Sequence, residues 1–246
     1  MEDKITNIRE VLSLPRDALI AIDTSDAIGA QVAVTNGRPR ASDIAYDGLR
    51  DRILDLRLLP GSVVNEQALA SELGLGRMPV REALARLVTD KFVTVLPRRG
   101  AVVTPVTLED VIDMFEAREA IECGVAYIVA KRATEADLVA LRRLVQAADL
   151  ARERADHEAY LRDDHAIHTF LVHMVRNSWL QDAADILLRH NLRFWRVYWA
   201  SRPAQHATML RHAELISALE AQNPKLAEKA MRKHLAASRR LLQASF

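Results

Sequence analysis

All eight histidines of this 246-residue chain fall between positions 157 and 234. Asp164 and His168 stand four residues apart, so on a helix their side chains stack on one face. Ile167, Leu171 and Val175 nearby are apolar, which turns that face toward a core. His212 lies beside Leu215-Ile216, near the middle of a helix expected over 203–221, and His234 sits between Met231 and Leu235. One carboxylate and three imidazoles from three helices can converge on one point in a bundle. That donor set suits a borderline divalent ion, zinc first, with nickel or manganese as alternatives. The alternative is partly buried histidines hydrogen-bonded to backbone or carboxylate. His165 points about 100° away from Asp164 around the helix and is left out. His157, His173, His190 and His206 are expected on the surface or between helices.

The elements that must carry these groups are helical. Thr107-Leu108-Glu109-Asp110 is a helix start, with a threonine cap and acids that complement the helix dipole. Apolar residues then recur at three and four through Val111, Met114, Phe115, Ile121, Val125 and Ile128. A second helix starts at Thr134 and runs to about Arg154. Others are expected over 157–175, 178–200 and 203–221, and Asn223-Pro224 opens the last. Helices of this length joined by short loops describe an antiparallel all-α bundle of about six helices. Arg118 interrupts an apolar face. A buried guanidinium needs an anion, and two are available: Glu122 at i+4, or the carboxylate of a bound small molecule. Asn177 and Arg193 are weaker candidates for such a pocket, and Trp179, Trp195 and Trp199 read as core or interface.

A different chemistry is written into Ala68–Leu84, ALASELGLGRMPVREAL. Leu69, Ala70 and Leu73 stripe one short helix and Gly74-Leu75-Gly76 makes a turn. Val80, Ala83, Leu84 and Leu87 stripe a second helix, with Arg77 and Arg81 on another face. Upstream, 45–59 is an amphipathic helix stopped by Pro60-Gly61. Downstream, 91–103 reads as two strands around the basic hairpin Pro97-Arg98-Arg99-Gly100. Helix, helix-turn-helix and hairpin make a winged helix, an arrangement that enters a DNA major groove. Between Gly74 and Gly100 stand Arg77, Arg81, Arg86, Lys91, Arg98 and Arg99 against Glu82 and Asp90. The local balance of +4 exceeds the +1 of the whole chain, so positive charge gathers where a phosphate backbone would lie.

The fold class is therefore mainly α, with a winged helix at 41–106 and a helical domain at 107–246. Residues 1–40 read as an extension and flexible linker of small, polar and turn-forming residues. The single cysteine, Cys123, lies in an apolar helical pattern and excludes a disulfide framework within the chain. No apolar run reaches membrane-spanning length and the first residues are charged, so a cytoplasmic protein with no membrane partner is expected.

The first of these domains resembles the DNA-binding domain of the GntR family of bacterial transcription regulators. The resemblance rests on Pro60-Gly61, Leu69-Ala70, Gly74 with Arg77, the run Pro79-Val80-Arg81-Glu82-Ala83-Leu84, Leu87 and Gly100. Gly76 and Met78 depart from it, standing where the family usually has hydroxyl residues. The second half resembles the FCD domain of the FadR subfamily through Phe115-Glu116-Ala117-Arg118, Glu122, Asp164 with His168, Asn177, His212 and His234-Leu235. The resemblance implies a homodimer on a palindromic DNA operator, with Gln67, Arg77, Arg81, Arg99 and Gly100 at the DNA. It implies metal ligands at Asp164, His168, His212 and His234. A small organic acid would then be the effector, met by Arg118, Asn177 and Arg193, and repression the expected output. Two other readings stand beside it: a DNA-binding protein whose bundle serves only dimerisation, and a metalloenzyme, for which no catalytic motif is visible.

Overall fold

A computed structural model describes residues 39–201 and 209–243; the extension and linker expected at 1–40 therefore lie outside the described residues, apart from Pro39 and Arg40. The chain enters through α1, Ala41–Leu54, which buries Ala45, Tyr46, Leu49 and Ile53. This helix begins and ends earlier than the apolar spacing over 45–59 predicts. Asp55 closes it and Leu56 turns into the left-handed region at φ 58°, so Leu58 and Leu59 leave in a loop. Helix α2, Glu66–Glu72, is capped by Asn65, whose side-chain oxygen accepts from the backbone of Gln67 and Ala68. Gly74, at φ 65°, makes the turn that the glycine pair predicts. Helix α3, Arg77–Thr89, follows and buries Val80, Ala83, Leu84 and Leu87, the four expected residues.

The hairpin pairs β1, Val93–Leu96, antiparallel with β2, Gly100–Val103, in the register Val93↔Val103 and Leu96↔Gly100. Arg98 and Gly100 both take positive φ at its tip. Val63 adds a bridge to Val102 on the far side of β2. That pairing has no periodic signature, because it is one residue long.

The bundle comprises α4 (Leu108–Arg132), α5 (Glu135–Glu153), α6 (His157–Met174), α7 (Ser178–Ser201), α8 (Ala213–Glu220) and α9 (Pro224–Gln243). Thr107 and Thr134 each close a capping box with the aspartate three residues on, as their sequences predict. Asn223 caps α9 through the backbone of Leu226. The helix expected over 203–221 is corrected: among the described residues it is helical only over Ala213–Glu220, and His212 is its N-cap residue rather than a mid-helix position. The apolar spacing Met209, His212, Leu215, Ile216 mimics a helical period while residues 209–212 are not helical. Among the described residues two apolar cores result, one around Leu49, Val80, Leu87 and Phe92, the other around Phe115, Leu141, Leu161, Ile167 and Leu188. Among the described residues no helix is long and apolar enough to cross a membrane.

Candidate metal centre and nucleic-acid interface

Helix α6 buries Asp164 and His168 one turn apart, the N-cap of α8 brings in His212, and α9 brings in His234. One ligand atom from each of these four residues lies within 4.8 Å of all the others. His168 Nε2 is 3.3 Å from His234 Nε2, and His212 Nε2 is 3.2 Å from Asp164 Oδ1. That second approach lacks hydrogen-bond alignment, so His212 Nε2 is buried without a hydrogen-bond partner among the described residues. A buried polar atom left this way costs about 1–3 kcal/mol unless something binds it. Burial, and then the neighbouring imidazoles His212 and His168, push His234 well below its ordinary value and keep it a neutral lone-pair donor. An unpartnered buried nitrogen, imidazoles from three elements and one carboxylate fit a divalent ion.

A carboxylate stands behind one of the imidazoles. Glu122 Oε2 lies 2.5 Å from His168 Nδ1, and Glu122 Oε1 accepts from Arg118 Nε at 2.5 Å. Burial would raise the Glu122 carboxyl, yet Arg118 and His168 outweigh it and hold it down at about 2. An anionic Glu122 accepts a hydrogen bond from His168 Nδ1–H and so turns Nε2 toward the cluster, the arrangement by which outer carboxylates orient metal-binding histidines. Spacing alone pairs Glu122 with Arg118. Its second partner is reached across helices, from α4 to α6, and leaves no trace in spacing. Tyr160, one turn before Asp164, donates to the Leu210 carbonyl at 2.9 Å and comes within 3.4 Å of Asp164 Oδ1, tying the approach to α8 to the ligand helix.

The other pocket candidates sit elsewhere. Asn177 is exposed and caps α7, accepting from the backbone of Trp179 and Leu180. Arg193 is buried and donates through Nη2 to the Thr104 carbonyl, in the segment between β2 and the bundle. It belongs to a row on α7 that faces the winged helix. His190 Nε2 donates to the Asp90 carbonyl at 2.8 Å and its ring stacks on Phe92 with centroids 4.1 Å apart. Arg196 reaches both Asp55 and Glu158. Trp195 and Trp199 are buried near the far end of α7, while Trp179 is exposed.

On the opposite half, Gln67, Arg77, Arg81, Arg99 and Gly100 are all exposed. Arg81 Nε holds Glu66 Oε2 at 2.8 Å, so α2 fixes the direction of an α3 arginine. Arg86 is drawn inward to Asp43 and lies over the Tyr46 ring at 4.1 Å. Arg77, Lys91, Arg98 and Arg99 make no ion pair with another described residue, and the positive charge available to a phosphate backbone rests on them. The +4 read between Gly74 and Gly100 is thus partly neutralised from α1 and α2, outside the segment counted.

The model of bacterial regulatory proteins, gntR family, matches residues 41–103, and that of the FCD domain matches residues 113–237. An HTH-type transcriptional regulator in an unstable DNA locus of Streptomyces ambofaciens is 33% identical over 207 residues, covering 84% of this chain and 86% of that protein. The HTH-type transcriptional repressor GlaR of Escherichia coli K12 is 29% identical over 201 residues, covering 77% of this chain and 90% of GlaR. The solved structure of E. coli McbR/YncC shares the fold, with a TM-score of 0.73 at 20% identity over 83% of this chain and 98% of that one.

Proposed function

Because the chain belongs to the GntR family of bacterial regulators and carries an FCD domain, we propose that it is a homodimeric repressor whose operator affinity is set by a small organic acid bound beside a metal in the bundle. The relatives are transcriptional regulators, and the chain is a DNA-binding regulator and not an enzyme. The observation that carries the finer reading is the convergence of Asp164, His168, His212 and His234. These four residues would hold the ion, zinc before nickel or manganese. When bound, it would supply a Lewis acid to which carboxylate or hydroxyl oxygens attach. Arg118 is the arginine nearest the cluster, its Nη2 within 3.4 Å of His168 Nδ1, and it would meet the effector's negative charge if Glu122 yields part of its hold. Asn177 and Arg193, engaged as a helix cap and as an anchor for the winged helix, drop out of that pocket.

On the DNA side, Arg77 and Gln67 would enter the major groove, Arg81 would be steered by Glu66 onto a phosphate, and Arg99 with Gly100 would carry the wing tip over the backbone or minor groove. A dimer places two such heads on a palindrome, since one head buries too little for high specificity. An effector changes operator affinity only by binding one arrangement of the winged helix against the bundle better than another. The α7 row at His190, Arg193 and Arg196 is the contact such a change would break or remake.

Fluorescence polarisation on the DNA upstream of the chain's own gene tests the DNA half. The double variant Arg77→Ala, Arg81→Ala should lose at least ten-fold in affinity, and retained affinity would count against it. A thermal-shift screen of small organic acids, run with and without chelator, tests the sensing half. Stabilisation that chelator abolishes is the expected result; metal-free protein that responds equally to the same acid would remove the metal from the account.

A further inference from the structure

A helix turns 100° per residue, so the buried Val80, Ala83, Leu84 and Leu87 define the inward side of α3. The residues diametrically opposite are Met78, Glu82, Ala85 and Thr89, and all four are exposed. Arg77 and Arg81 lie on one flank of that outward stripe, and Arg81 is further held toward α2 by Glu66. The outward stripe carries a carboxylate, Glu82, that a phosphate would repel, and no arginine or lysine. Its chemistry suits base edges rather than backbone.

Met78 occupies the first turn of α3, the end of a recognition helix that meets bases, and it is 62% exposed. Lone apolar residues on a surface are ordinary; what singles out Met78 is its place at the centre of the reading face. Its neighbour Gly76 has no side chain to stand between it and a duplex, since even an added Cβ there would meet only the Pro79 ring at 3.7 Å. In the major groove one base presents an apolar group, the thymine C5-methyl. A flexible, polarisable thioether side chain packs on such a group without needing exact alignment.

We infer that Met78 is a specificity-determining residue that packs on the C5-methyl of one thymine in each half-site. The inference rests on the DNA-binding reading and adds a base preference to it. The test takes the full chain, selects its preferred duplex from a random library, and replaces each thymidine in turn by deoxyuridine, which removes only the methyl. At one position per half-site the wild type should lose about four-fold, the worth of one buried methyl. At that position Met78→Ala and Met78→Gln should lose nothing, while responding like the wild type elsewhere. Deoxyuridine substitutions that affect wild type and both variants alike at every position would overturn the inference and leave DNA binding intact. A chain that enriches no duplex at all would overturn the DNA-binding reading, and this inference with it.

Discussion

At the scale of single residues, the candidate metal centre is governed by one carboxylate outside it. Glu122 sits between Arg118 and His168 and, at 2.5 Å from His168 Nδ1, turns the other imidazole nitrogen toward the cluster. Glu122→Gln keeps the shape and removes the charge. Metal affinity, read by competition with a chromogenic chelator, should fall about 10- to 100-fold. Asp164 and His168 were legible because a spacing of four on a helix stacks side chains whatever the tertiary fold. His212 and His234 were legible as core-facing histidines, although the backbone that presents His212 is a helix start and not a helix. The bond from Glu122 to His168 and that from Glu66 to Arg81 were not legible, because each joins two elements whose contact depends on packing.

At the scale of elements, α7 does what its sequence does not announce. Its sequence reads as a helix over 178–200, with Arg193 one of the weaker pocket candidates. The structure turns it toward a main-chain carbonyl of the winged helix, and burial pulls its guanidinium down to about 10. Arg193→Met leaves the Thr104 carbonyl without its donor and should cost about 1–3 kcal/mol in urea unfolding. His190 adds a pH dependence. Burial holds its folded-state value below the ordinary one near 6.5, against the Asp90 carbonyl bond that raises it; Arg193 lowers it further, while Asp110 and Asp90 raise it. The unfolded chain therefore takes up the proton first, and the stability due to a neutral His190 is present above about pH 6.5 and lost as pH falls below it. Denaturation at pH 7.5 and 5.5 should show the wild type losing more stability than His190→Gln, which keeps a donor but does not titrate in this range.

At the scale of the whole molecule, DNA affinity should fall steeply with salt, because Arg77, Arg98 and Arg99, which pair with no acid among the described residues, lie on exposed surface. Arg99→Ala should reduce the magnitude of the slope of log affinity against log salt by about 1 per subunit and leave base preference unchanged. The division into a winged helix and an all-α bundle was readable because capping boxes, glycine turns and apolar stripes are local and agree with one another. What joins the two was not readable, being made of contacts between residues a hundred positions apart, as His190 and Asp90 are.

The Phe92 ring has one practical consequence. It belongs to the core of the DNA-binding half, yet its outer face is covered by an imidazole from the helical bundle. Cutting the chain after Val106 would bare that ring and two main-chain oxygens together. Chimeric regulators that graft this reading head onto a foreign sensor should therefore express poorly unless the graft carries a histidine and an arginine three positions apart on the abutting helix. The head is not a detachable cartridge; part of its lining is supplied by the bundle beside it.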